Sequence, residues 1–75
     1  MMIKSSINVC GEVCPMPVLR TKNAMEELKT GDILEVITDY PPSRENIQRF
    51  VVSQGSKVVK VEEETEIIKL FIEKV

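Results

Sequence analysis

The chain has 75 residues, room for one small domain that buries only about 60% of the surface its unfolded chain exposes. Apolar residues make up 43% and charged residues 29%, the balance of a folded soluble domain and not of a disordered one. Ten basic against twelve acidic residues leave a net charge of −2, so no overall positive field draws the chain to nucleic acid or an anionic membrane.

Met1-Met2-Ile3-Lys4-Ser5-Ser6 has no apolar signal-peptide core, and no run approaches the length of a membrane span. A cytoplasmic location is expected. Two cysteines in a thiol-reducing compartment are more often reactive than structural.

In chain order, Ile3, Ile7 and Val9 alternate with Lys4, Ser6 and Asn8 in strand period, which predicts a first strand with one apolar face. Cys10-Gly11-Glu12-Val13 follows as a short loop, with Gly11 supplying backbone freedom for the turn. From Pro15 to about Lys29 the spacing of Val18, Thr21, Met25 and Leu28, with Ala24 beside them, predicts a helix that ends before Gly31. Ile33 to Thr38 reads as a second strand, parallel to the first because a helix lies between them.

Asp39-Tyr40-Pro41-Pro42-Ser43 breaks the chain, and Ile47, Phe50 and Val51 mark a second amphipathic helix ending near Gly55. Lys57 to Val61 and Ile67 to Ile72 form a hairpin around the acidic run Glu62 to Glu66. The order βαβαββ predicts an α/β (α+β) two-layer sandwich: a four-stranded mixed sheet, mostly parallel with an antiparallel last pair, and two helices on one face.

The chemistry is expected at Cys14-Pro15-Met16-Pro17. Proline has no N–H to donate and the first helical turn needs none, so Pro15 and Pro17 fit N1 and N3 with Cys14 as N-cap. The unpaired N–H groups and the dipole there favour thiolate, the nucleophilic form of cysteine. Arg20 and Lys22, one to two turns on, would add positive potential or meet an acidic partner; alternatively they form a solvated basic face. With no histidine the chain has no Cys–His dyad, and two cysteines cannot close a four-ligand zinc site alone. Neither metal nor cofactor is expected.

Gly11, Cys14-Pro15-x-Pro17-Val18-Leu19, Lys22, Ala24, Leu28, Gly31-Asp32, Asp39-x-Pro41, Ile47, Phe50 and Gly55 together resemble the TusA/SirA family of small sulfur carriers over nearly the whole chain. The resemblance implies one sulfur-carrier domain over 1–75, with sulfur held as a persulfide on Cys14 and Gly11, Pro15 and Pro17 shaping the motif. It implies a desulfurase or rhodanese-like donor protein and an acceptor protein as partners. Many members have Asp in place of Asn8, two acidic residues in place of Asp39-Tyr40, and no cysteine in place of Cys10.

Two other classes stay open on the residues. A thiol–disulfide redox protein would pair Cys10 with Cys14, which a tight loop permits if the Cα atoms come within about 7 Å. A non-catalytic interaction module, such as one that binds RNA, has only fold analogy behind it, and the pI of 5.1 opposes it. Cys10 itself is either a small packing residue at the end of the first strand or a second thiol that attacks a Cys14 persulfide and releases sulfide.

Overall fold

A computed structural model describes residues 3–12 and 16–75. The elements are β1 (Ile3–Asn8), α1 (Met16–Glu26), β2 (Ile33–Thr38), α2 (Pro41–Ser53), β3 (Lys57–Glu63) and β4 (Ile68–Glu73). The order βαβαββ and the mixed four-stranded sheet are as the sequence predicts.

The pairing is less parallel than expected. The strand order is β1-β2-β4-β3, so β4 enters between β2 and β3 and, among the described residues, leaves β1–β2 as the one parallel pair. Leu70, Phe71 and Ile72 explain this placement: all three are buried, a run that suits a strand flanked on both edges and covered on both faces.

Leu34 and Val36 of β2 and Leu70 and Ile72 of β4 are fully buried beneath the helices, where Met25 and Leu28 meet them from one side and Ile47 and Val51 from the other. Burying each such side chain contributes about 1.5–3 kcal/mol. On the opposite face Lys60 Nζ lies 6.0 Å from the centre of the Phe71 ring and helps to cover it.

Both outer strands carry a register shift, between Ile3 and Ser5 in β1 and between Val58 and Lys60 in β3. The shift in β3 lets Val58 and Val61, three residues apart, both pack against the core, with Val59 left 41% exposed between them. The shift in β1 corrects the expected apolar face. Ile7 packs on the core and Val9 is buried within it, but Ile3 stands 46% exposed.

Helix α1 buries Pro17, Thr21 and Met25, and the Thr21 hydroxyl donates to the Pro17 carbonyl at 2.8 Å. It stops at Glu26, three residues before the expected end. The Glu27 and Leu28 N–H groups turn back to the Ala24 and Met25 carbonyls, and Lys74 Nζ donates to the Met25 carbonyl at 2.7 Å. Gly31, at φ +92°, therefore serves the turn into β2 and not the helix C-terminus.

Helix α2 starts earlier than the proline pair suggested, with Tyr40 as N-cap and Pro41 and Pro42 as its first residues. Its end matches expectation. Gly55, at φ +85°, donates to the Val52 carbonyl and Ser56 to the Val51 carbonyl, the paired bonds of a Schellman cap. In the final hairpin Glu62 and Glu63 belong to β3, and the Glu64 N–H donates to the Ile67 carbonyl across the tip.

Candidate functional site

The C-terminal ends of β1 and β2 lie side by side, with Asn8 opposite Ile37, and the β3–β4 tip joins them because Ile68 pairs with both Thr38 and Glu63. The loop that leads to Cys14 emerges here. Cys14 and Pro15, expected at the N-cap and N1 positions, lie outside the described residues, as does Val13. Pro17 is described: it is buried in the first turn of α1.

Val9 continues the parallel pairing by donating to the Ile37 carbonyl at 2.7 Å, and then the chain turns sharply. The Glu12 N–H donates back to the Val9 carbonyl, and Gly11 takes φ +82°, a left-handed conformation that glycine adopts without strain. Two side-chain oxygens hold the turn. Asn8 Oδ1 accepts the Cys10 N–H at 2.9 Å, and Asp39 Oδ1 accepts the Gly11 N–H at 2.9 Å from the junction between β2 and α2.

Cys10 is half-buried, and its thiol is pushed up from the ordinary cysteine value, by burial first and by the Asp39 carboxylate second. Glu12 forms an ion pair with Arg20 Nη1 that ties the loop to α1. Its other carboxylate oxygen is buried with no partner among the described residues.

The predicted auxiliary residues part company. Arg20 turns to the loop through Glu12, whereas Lys22 lines a groove of about 240 Å³ with Met25, Phe50, Gln54 and Lys74, toward the other end of the sheet. Beside Asp39 an open depression of about 590 Å³ is bordered by Arg44 and the hairpin residues Glu63, Glu64 and Glu66, with Arg44 paired to Glu63. Among the described residues no set of three Cys, Asp or Glu side chains converges to hold a metal ion. None of the helices described is long and apolar enough to cross a membrane.

Sequence reasoning missed the parts played by Asn8, Glu12 and Asp39. Asn8 had a readable signal, since an Asn two residues before a turn N–H is the pattern of an Asx turn. Asp39 appeared only as part of the Asp-x-Pro pattern, because its partner is 28 residues away.

The family model for Sulfurtransferase TusA matches residues 5–74. This chain belongs to the TusA/SirA family. A Methanocaldococcus jannaschii protein named "Putative sulfur carrier protein MJ0990" is 47% identical over 68 residues, covering 91% of each chain. The Escherichia coli protein YedF, named in the same terms, is 37% identical over 68 residues, covering 91% of this chain and 88% of its own. The crystal structure of a SirA-like protein from Desulfitobacterium hafniense superposes with a TM-score of 0.82 at 33% identity, covering 92% of this chain and 95% of that one.

Proposed function

We propose that this chain is a single sulfur-carrier domain that holds sulfur as a persulfide on Cys14, takes it from a donor protein and delivers it to an acceptor protein. The observation behind this reading is the sequence Cys14-Pro15-Met16-Pro17, which follows the Gly11 turn and whose Met16 and Pro17 open α1, in a TusA-family chain. Pro15 and Pro17 leave no N–H to compete at their positions, and the start of a helix favours negative sulfur.

In the transfer, the Cys14 thiolate attacks the terminal sulfur of the donor's persulfide. A new sulfur–sulfur bond forms on Cys14 and the donor cysteine leaves as thiolate. The acceptor thiolate then attacks the outer sulfur of Cys14, and Cys14 leaves as thiolate. No external oxidant or reductant enters, because sulfane sulfur simply changes hands. Gly11 supplies the turn before the motif, and the Arg20–Glu12 pair anchors that turn to α1. Lys22, remote from the turn, is assigned to partner contact and not to chemistry.

The test is mass spectrometry of the chain after incubation with a cysteine desulfurase and cysteine. The wild type should gain one sulfur, removable by dithiothreitol, and Cys14→Ser should gain none while keeping its circular dichroism, since serine is also a good N-cap. Sulfur on Cys14→Ser equal to that on wild type would overturn the assignment.

A further inference from the structure

Two thiols four residues apart endanger a persulfide. If a Cys10 thiolate attacked Sγ of a Cys14 persulfide, a Cys10–Cys14 bond would form and the outer sulfur would leave as hydrosulfide with the electron pair of the broken bond. The Cys10 sulfur would be oxidised and the outer sulfur reduced by the same amount, while the Cys14 Sγ exchanges one S–S bond for another, so the step balances without an outside oxidant. The cargo would be lost. The rate of such an attack rises with the thiolate fraction of the attacking cysteine.

The surroundings of Cys10 favour its neutral thiol, the unreactive form. Its side chain is half-buried, and its own N–H is taken by Asn8 Oδ1 at 2.9 Å, which fixes the backbone from which any attack would start. The next N–H, of Gly11, is taken by Asp39 Oδ1 at 2.9 Å, which brings a carboxylate to the same turn. Other charges nearby are matched: Glu12 pairs with Arg20, and Arg44, across the depression beside Asp39, pairs with Glu63. Asp39 forms no ion pair among the described residues, and its carboxylate is held at the turn by the Gly11 N–H. Burial and this charge both favour the neutral thiol.

We propose that Asp39 is a positioning residue that protects the cargo: docked on the Gly11 N–H, its carboxylate bars Cys10 from attacking the persulfide on Cys14. This rests on Cys14 as the sulfur-bearing residue. The second cysteine is then neither a redox partner nor a neutral bystander, but a liability that the β2–α2 junction keeps silent. Removing the charge while keeping the hydrogen bond separates the two effects of Asp39, and Asn does this because its side-chain oxygen still accepts from Gly11.

The deciding measurement is the pH profile of Cys10 alkylation by iodoacetamide in a Cys14→Ser background, which needs no sulfur and so stands apart from the carrier assignment. The profile should lie above that of a free cysteine peptide; Asp39→Asn should move it to lower pH and Asp39→Glu should restore it. In the chain with both cysteines, loaded with sulfur, Asp39→Asn should release sulfide and accumulate the intramolecular disulfide several-fold faster than wild type. Adding Cys10→Ser should abolish that difference. The proposal is overturned if Cys10 of the parent alkylates like the free peptide, if Asp39→Asn leaves the profile in place, or if the accelerated loss persists without Cys10. Should no sulfur load on Cys14 at all, the carrier assignment fails, whatever the Cys10 profile shows.

Discussion

The two ends of the sheet are closed by different means. Where β1 and β2 finish, separate segments are joined through side-chain oxygens: Asp39 reaches the Gly11 N–H, and Glu12 reaches Arg20. At the other end the joints are mostly main chain, with the Gly31 N–H donating to the Lys74 carbonyl at 2.8 Å and the Lys74 N–H to the Asp32 carbonyl at 2.9 Å. The long side chains used there are lysines: Lys74 Nζ sits on a helix carbonyl where positive charge is favourable, and Lys57 Nζ lies 3.4 Å from the Glu73 carboxylate. A joint made by side chains changes with a single substitution and leaves the backbone path intact. The far end is a clasp that any stable version of the fold needs, while the Gly11 end holds the tunable contacts.

The strongest way to break this distinction is to damage what both ends share. Leu70 is fully buried in β4, and Leu70→Ala should cost about 2–5 kcal/mol in urea unfolding. Hydrogen exchange should then show both ends losing protection together; loss confined to one end would mean that they do not share a core.

A matched pair of glycines sharpens the comparison. Gly11 and Gly31 have φ +82° and +92°, and a Cβ on either would meet open space, so alanine is penalised only through the backbone. Each Gly→Ala change should cost about 1–2 kcal/mol. Only Gly11→Ala should also alter the rates at which the cysteines alkylate, and equal disturbance by Gly31→Ala would erase the division of labour.

The smallest expected effect is a pH dependence confined to the Gly11 end. The folded chain holds the Cys10 thiol above its ordinary value, so in the window above about pH 8.5 the folded state keeps a proton that the unfolded state has released. Stability should be unaffected by this group below that window and fall as pH rises through it. Chemical denaturation of Cys10→Ser against its parent from pH 7 to 10 should show the slope reduced in the variant.

Local signals carried most of the fold and the motif. Gly55 read correctly as the end of a helix because its cap uses carbonyls only three and four residues back. Gly31 looked the same in sequence but was not, since α1 is ended by Lys74, 49 residues from the Met25 carbonyl it holds. The insertion of β4 between β2 and β3 was legible in principle: Leu70-Phe71-Ile72 is an unbroken apolar run, whereas every valine of β3 has a charged residue beside it. At the site, the Cys-Pro-x-Pro pattern could be read directly, and the Asp39–Gly11 contact could not, because pairing across two strands leaves no local periodicity. Arg20 and Lys22 seemed equivalent, yet two steps of about 100° along a helix send them to opposite sides, one to Glu12 and the other to the groove.

The register shifts of β1 and β3 have a consequence for life at high concentration. A two-layer fold with an open sheet leaves two rows of backbone donors and acceptors able to recruit another chain, a path to filaments and aggregates. Here the inner β2–β4 ladder runs unbroken from Ile33 to Thr38, and the irregularities fall on the two edges. An incoming strand would find the hydrogen-bonding repeat change beside Ser5 or Val59 before a long ladder had formed. The same distortion that lets Val58 and Val61 share the core thus also blunts the edge against self-assembly.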